Sequence, residues 1–357
     1  MSGQSTIGVG VIGYGYWGPN LVRNFYETPG CKVVSVSDLR AERLAKVTPR
    51  YPTVETTTQF EDLFNDPRID LIAIATPVST HFDLAMRALR AGKHVFVEKP
   101  MTSDADEAQR LIDEAERRGL VLAVDHTFVH TAAVRKIREL VDNGDLGDIY
   151  YYDSVRVNLG LFQHDVSVVW DLAVHDLSIM DHVLPVRPTA VSATGISHVP
   201  GQPEDMAYVT LQFDTSVMAH VHVNWLAPVK VRRTLIGGSR KMIVYDDLEP
   251  SEKIKVYDKG ITLNGGPADG NGNGNGNGHR HAMLVGYRAG DVWSPQLALT
   301  EALSVELRDV VDAVARGGKP VVDGHAGLRV VSILEAATAS LRMSGAPVEL
   351  SPSRCIV

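Results

Sequence analysis

The sequence is short of cysteine: 2 in 357 residues, Cys31 and Cys355, one near each end. Thiols so placed build neither a disulfide framework nor a thiolate metal cluster, and their scarcity fits a reducing compartment. A basic surplus is also missing. Lys and Arg total 35 against 43 Asp and Glu, giving a net charge of -8. That balance argues against nucleic acid or an anionic membrane as a partner. No apolar run approaches the roughly 20 residues a membrane span needs. Residues Met1 to Thr6 show no basic region leading into an apolar core. A signal peptide is therefore not expected, and a cytoplasmic setting is.

What is present is ordinary globular composition, 44% hydrophobic and 22% charged. The chain is long enough for two domains of roughly 100–200 residues each. Ile7–Ile12 reads as a buried strand. Gly13-Tyr14-Gly15-Tyr16-Trp17-Gly18 follows, then a helical run from Pro19. A G-x-G-x-x-G between strand and helix is a dinucleotide-binding turn. Gly13 permits the turn, Gly15 lets the backbone approach a pyrophosphate, and Gly18 lets the helix pack on the sheet. The next strand, Lys32–Ser37, ends at Asp38, 20 residues past Gly18. A carboxylate there accepts both adenine-ribose hydroxyls and repels a 2′-phosphate, which favours NAD; Arg40 and Arg43 leave NADP possible. Asp38 could instead cap the helix starting near Ala41.

Leu71–Ala75 is another buried strand, ending at Thr76-Pro77 with His81 beyond. Thr76 and Pro77 should border the nicotinamide half of the cofactor, while His81 packs or caps the helix over Phe82–Ala91. Val95–Val97 then runs into Glu98-Lys99-Pro100. Proline cannot donate a ladder hydrogen bond, so the strand stops there. Glu98 and Lys99 are left at the carboxyl edge of the sheet, where open α/β folds bind ligands. Lys99 is read as lying between a nicotinamide and a hydroxyl-bearing substrate. A helix over Asp104–Arg118 and a strand over Val121–Val124 complete the alternation. The expected fold is α/β: a Rossmann, doubly wound parallel sheet over residues 1–125.

Asp125-His126 marks the handover to a second unit, residues 126–357. A helix is expected from Phe128 to Asn143, closed by Gly144 and Gly147. Seven strand-like segments follow, from Ile149–Asn158 to Lys253–Tyr257, with tight turns and few helices between them. That pattern gives an α+β domain with a mixed or antiparallel sheet. One helix interrupts it over Val169–Val183, and two follow over Thr300–Ala315 and Ala326–Ser344. Gly270–Gly278 alternates Gly and Asn and reads as a low-complexity loop. His279-Arg280-His281 has no carboxylate or thiol to complete a metal site, and no metal is expected.

Trp170 to Asp176 opens the Val169–Val183 helix. Asp171 and His175 stand four apart, on one face. A carboxylate beside a histidine can fix its tautomer and support acid/base work, although such a pair can equally be a plain surface contact. Asp176, Asp181 and His182 extend the polar set. Lys230, Arg232 and Arg233 form a basic group able to reach a diphosphate or carboxylate.

Taken together, Gly13-x-Gly15-x-x-Gly18, Ala75-Thr76-Pro77 with His81, Glu98-Lys99-Pro100 and Asp171-x-x-x-His175 resemble the Gfo/Idh/MocA oxidoreductase family. The resemblance spans nearly the whole chain. It implies a Rossmann domain joined to an α/β domain with a large open sheet. It implies oxidation or reduction of a ring hydroxyl or ketone of a sugar, sugar nucleotide or cyclitol with NAD(P). It also implies a homodimer or homotetramer through the open sheet. By the same resemblance Lys99 matches the active-site lysine, His175 the acid/base histidine, and Asp171 the polar residue one turn before it. Tyr16, Trp17, Thr76, Pro77, His81 and Glu98 would line the cofactor, and Arg156 and Asn158 the substrate. Asn158-Leu159-Gly160, Trp170–Asp176 and Pro228–Arg233 look nearest the branch acting on nucleotide sugars, of the UDP-N-acetylglucosaminuronate 3-dehydrogenase type. Val174 stands where a proline or glycine often precedes the histidine. Asp125–Val134 lacks the Asn-Pro that many relatives carry.

Hydride transfer from a secondary alcohol requires loss of the hydroxyl proton as well. His175 is assigned as the base, Lys99 as the cationic donor and Asp171 as orienter, with the first two able to exchange roles. The competing readings are a free-sugar or inositol dehydrogenase, a non-catalytic NAD-binding sensor, and a zinc alcohol dehydrogenase.

Overall fold

Six parallel strands form the first sheet, in the order Glu55–Thr57, Cys31–Ser37, Ile7–Ile12, Leu71–Ile74, His94–Glu98, Leu122–Asp125. The computed structural model describes residues 6–160, 166–263 and 285–351. The Gly/Asn repeat, the His279–His281 tract and Cys355 lie outside them. The elements of the first sheet are β1 (Ile7–Ile12), α1 (Gly18–Glu27), β2 (Cys31–Ser37), α2 (Ala41–Leu44), β3 (Glu55–Thr57) and α3 (Glu61–Asn65). They continue with β4 (Leu71–Ile74), α4 (His81–Arg90), β5 (His94–Glu98), α5 (Ala105–Arg118) and β6 (Leu122–Asp125). Every residue of β1 and of β4 is buried, as a parallel strand covered on both faces must be. Caps fix the helix ends locally. The Asp104 side chain accepts the Glu107 N–H at 2.8 Å, and Gly119 closes α5 at φ 65°. The doubly wound sheet expected from the sequence is therefore present.

The second unit holds α6 (Ala132–Asp142), β7 (Ile149–Leu159), α7 (Val174–Val183), β8 (Ala190–Ile196), β9 (Met206–Gln212), β10 (Met218–Asn224) and β11 (Leu226–Gly238). After them come β12 (Met242–Asp246), β13 (Ile254–Tyr257), β14 (Gly260–Leu263), β15 (Val285–Arg288), β16 (Val292–Trp293), α8 (Ala302–Arg316), α9 (Gly324–Arg342) and β17 (Val348–Glu349). Nine strands make one sheet, β16-β13-β12-β11-β7-β10-β9-β8-β17. Its one parallel pair among the described residues is β7 with β10, so it is mixed, as the strand pattern implied. Helix α6 begins later than expected. Phe128 lies in a tight 3-10 turn, Thr127–His130, and the helix starts at Ala132, because the Thr131 side chain caps it by accepting the Val134 N–H at 3.2 Å.

The last two helices join the halves. Leu303, Leu307 and Val310 of α8 belong to the same core as Val9, Val11 and Leu21. Helix α9 presents Ala326, Leu328 and Val331 to the core of the first sheet and Val330, Ile333 and Leu334 to that of the second. Burying one such aliphatic side chain contributes about 1.5–3 kcal/mol. A rigid helical wedge thus sets the angle at which the carboxyl edge of β5 and β6 meets α7. Among the described residues no helix is long and apolar enough to cross a membrane.

Candidate active site

The glycine turn after β1 is shaped by contact. Gly13 has φ 98°, and a Cβ there would stand 2.5 Å from the Ala75 carbonyl oxygen; one on Gly18 would stand 2.1 Å from the Gly13 carbonyl oxygen. Both must stay bare for the turn to close. Gly15 differs: a Cβ would meet only the tip of Arg43, at 3.5 Å, so its bare backbone faces open space. That space is a groove of about 810 Å³ lined by Gly13, Gly15, Tyr16, Trp17, Asp38, Thr76, Pro77, Glu98 and Lys99 among others. Its volume falls in the range of ordinary cofactor sites.

Asp38 anchors one end. It accepts the Tyr14 N–H at 2.7 Å and the Arg40 N–H at 2.9 Å, and pairs with Arg43 at 3.1 Å. Burial pushes the Asp38 carboxyl up, but these donors outweigh it and hold it below the usual range. A carboxylate kept ionised there suits ribose hydroxyls. Its partner Arg43 lines the same groove beside it. The other end is closed by Trp17, whose indole N–H donates to Asp125 at 2.7 Å, and by Glu98 and Lys99 at the end of β5.

Lys99 reaches across to α7. Its Nζ donates to the Asp171 carbonyl at 3.1 Å and lies 3.4 Å from Asp171 Oδ1. The other carboxylate oxygen accepts the Trp225 indole N–H at 3.2 Å. The expected service of Asp171 to His175 is therefore corrected: an ammonium and an indole N–H claim the carboxylate. Asp171 sits in a π turn, Val169–Ala173, immediately before α7.

His175 lies nearby in a different environment. Its ring packs edge-on to Phe128 at 4.9 Å, and its Nδ1 is buried without a partner. Burial, and then the charges of Lys99, Arg156 and Arg232, drive its pKa well below the ordinary histidine value. The imidazole is neutral at pH 7 and so able to accept a proton. Arg156 is 2% exposed and lies 4.6 Å over the Phe128 ring. It pairs with Asp176 at 2.5 Å, while Ser154 donates to the same carboxylate at 2.6 Å. Alternation along β7 puts Ser154, Arg156 and Asn158 on one face of the strand. Arg232, the register partner of Arg156 on β11, lies 5.6 Å from the Phe128 ring and pairs with Asp247 at 3.2 Å. Arg156 Nη1 and Arg232 Nε are buried donors without an acceptor among the described residues.

Lys99 at the end of the groove thus touches Asp171, and His175 and Arg156 lie beyond it around Phe128, drawn from both halves of the sequence. His81 does not line the groove. The ring is 1% exposed, with its nitrogens 2.9 Å from the Pro100 and Thr76 carbonyl oxygens. It braces the groove wall, because the turn after β4 and the break after β5 leave those carbonyls without ladder partners. Of the basic group, Lys230 and Arg233 are exposed, whereas Arg232 is half-buried and packs on Phe128. Asp176 and Asp181 are engaged by arginines, Asp181 by Arg329 at 2.9 Å. Phe128 and Trp225 escaped the sequence reading. A signal existed for each: Phe128 falls in the stretch that lacks Asn-Pro, and Trp225 directly follows a strand end.

Residues 7–126 match a family model described as an oxidoreductase family with an NAD-binding Rossmann fold, and residues 134–244 match the GFO/IDH/MocA C-terminal domain. An uncharacterized oxidoreductase of Escherichia coli is 34% identical over 266 residues, 70% of this chain and 74% of its own. The UDP-N-acetylglucosamine 3-dehydrogenase of Acidithiobacillus ferrooxidans is 28% identical over 332 residues, 90% of this chain and 93% of its own. A solved structure of the latter superimposes with a TM-score of 0.76 at 26% identity, covering 95% of this chain and 98% of the other. The NAD(+)-dependent scyllo-inositol 2-dehydrogenase of Bacillus subtilis is 25% identical over 98% of this chain and 96% of its own.

Proposed function

The chain belongs to the GFO/IDH/MocA oxidoreductase family, with an NAD-binding Rossmann domain, and from that premise we propose that it is a dehydrogenase of a nucleotide sugar, acting on a secondary ring hydroxyl at C3. The observation that carries the reading is that one cation, Lys99, borders the end of the groove opposite Asp38, touches Asp171 before α7, and bears by its charge on the neutral imidazole of His175. The oxidised nicotinamide, when bound, supplies a hydride acceptor. Everything else falls to the protein. His175 takes the hydroxyl proton of the substrate. Lys99 holds that oxygen and offsets the charge that develops on it, and its own position is set by Asp171. Burial and three surrounding cations keep His175 neutral, so its ring is free to receive a proton but holds it weakly. Lys99 and His175 can exchange these tasks.

Two features support a substrate bearing an anion. Arg156 and Arg232 each retain a buried donor without an acceptor, and both pack on the Phe128 ring that borders His175. A buried guanidinium donor left unpaired costs stability, so a diphosphate or carboxylate reaching it gains affinity. The relatives named above include enzymes for a nucleotide sugar and for a cyclitol. The unpaired arginine donors favour the first over the second. UDP-N-acetylglucosamine, its uronate, scyllo-inositol and free hexoses, each offered with NAD and with NADP, discriminate between them by the absorbance of reduced nicotinamide. Turnover confined to scyllo-inositol or a free hexose would overturn the nucleotide-sugar reading.

A further inference from the structure

Beneath the closed end of the groove three carboxyl groups from three elements meet in the interior. They are Glu98 at the end of β5, Asp125 at the end of β6 and Glu306 on α8. The parallel register sets Glu98 directly beside Asp125. Glu306 comes from the far end of the sequence and is 1% exposed, its buried carboxyl facing Asp125 and Thr127. The Asp125 oxygens are taken by the Trp17 indole N–H and the Thr127 hydroxyl. Glu98 borders the groove itself, and one of its oxygens accepts the Lys99 N–H at 2.8 Å.

Little positive charge faces this cluster. Lys99 is the cation beside Glu98, and its ammonium is shared with Asp171. From the 3-10 turn, His130 approaches Glu306 Oε1 at 3.9 Å, but burial drives its pKa down to about 3, so it is neutral. Burial, and then the Asp125 charge, raise both Glu98 and Glu306 well above the ordinary carboxyl value. Three ionised carboxylates against one shared ammonium would be an uncompensated buried charge. The closed end therefore stores protons, and Glu98 is the member of the cluster in contact with the groove.

The two redox forms of the cofactor differ by one positive charge on the nicotinamide ring. With the pyrophosphate at the glycine turn and the adenosine at Asp38, that ring lies towards Glu98. We propose that Glu98 is a specificity-determining residue for the oxidation state of the cofactor, giving up its proton when the cationic oxidised ring binds and keeping it against the neutral reduced ring. The step is a simple ionisation: the O–H bond of Glu98 breaks, the proton leaves to solvent, and no bond to the cofactor forms. Oxidised cofactor is then favoured as pH rises, while the reduced form is indifferent to it. Asp125 acts as a positioning residue, its charge holding the proton on Glu98 until the ring arrives.

The test uses the whole protein with NAD+ and NADH as probes and needs no sugar substrate. Calorimetric titration in two buffers of different protonation enthalpy, between about pH 6 and pH 8, counts the protons released. The expected result for NAD+ is close to one proton, with affinity rising about tenfold per pH unit where Glu98 starts protonated. NADH should release none and show flat affinity. In Glu98→Gln the release disappears and NAD+ affinity becomes pH-independent, with NADH affinity held. Asp125→Asn removes the neighbouring charge that raises Glu98. The proton release should then persist but shift to lower pH. Equal pH dependence for NAD+ and NADH in the wild type overturns the proposal, as does undiminished release in Glu98→Gln. If Glu98→Gln binds neither form, an unshifted release profile in Asp125→Asn overturns it.

Discussion

Replacing Asp176 by asparagine removes the charge opposite a guanidinium that has almost no access to water. Arg156 and Asp176 are each 2% exposed, and their contact is 2.5 Å. The asparagine keeps the shape but must turn either an amide NH2 or a neutral carbonyl towards Arg156 and Ser154. Breaking one partner of a buried pair typically costs about 3–5 kcal/mol, mostly because the remaining charge is left uncompensated. At about 2–4 °C per kcal/mol for a domain of this size, Tm should fall by roughly 6–20 °C. Tryptophan fluorescence follows the loss, since Trp225 is buried in the second core and Trp170 packs against it. The double change Arg156→Met/Asp176→Leu replaces the pair by apolar groups and should recover stability to within about 1–2 kcal/mol of the wild type. It should not recover turnover, because the Arg156 donor facing the substrate is gone. A Tm within two or three degrees of wild type in Asp176→Asn would refute the reasoning about charge. Full turnover in the double variant would refute the role given to Arg156.

Three further expectations follow from other parts of the molecule. Asp38→Ala should weaken NAD binding and narrow its advantage over NADP, because Arg43 is then free to meet a 2′-phosphate; tighter binding of NADP than NAD by the wild type contradicts the assignment. His126 and His130 are buried, and burial lowers them to about 4 and about 3, so the unfolded chain binds protons that the folded one refuses as pH drops below the ordinary histidine value of 6.5. Stability should therefore fall by roughly 2–3 kcal/mol between about pH 6 and pH 5 from these two groups, read by denaturant titration at each pH, and a flat profile would contradict it. The outer face of the nine-stranded sheet exposes Tyr208 at 40% and Met218 at 59%, with Tyr208 stacked 4.3 Å from His222. We propose that this face is covered by a second copy of the chain in a homodimer or homotetramer, which a monomer mass by light scattering at micromolar concentration would rule out.

The legible parts of the fold were those with a single strong period. Ile7–Ile12, Leu71–Ile74 and the Val95–Val97 run are apolar on both faces and bounded by Gly, Thr-Pro or Glu-Lys-Pro, so their place in a parallel sheet could be read directly. Strand β3 has only three residues, none of them buried, and left no pattern to read. The parallel pairing of β7 with β10 was equally hidden, because strand order depends on contacts between segments about sixty residues apart. Within the site, Lys99 was legible because proline isolates it at a strand end. The Asp171–His175 spacing was legible as a pair, but its true partners, Lys99 and Trp225, come from elsewhere in the chain. Glu306 interrupts the stripe Leu303, Leu307, Val310 of α8. An acid on the buried face of an amphipathic helix was a readable sign of an internal partner, although the sequence does not say which one.

The central claim is that Lys99 and His175 act on the reacting hydroxyl and not on the cofactor's phosphates. Turnover and NAD affinity, measured in parallel on wild type, Lys99→Ala and His175→Ala with the nucleotide sugar that the wild type turns over, test it most directly. Both variants should lose about 10²–10⁴-fold in kcat while binding NAD within a few-fold of wild type, since neither side chain shapes the glycine turn or touches Asp38. The double variant should fall well short of the product of the singles, because groups acting as a unit are not additive. Near-normal turnover in both single variants would contradict the account.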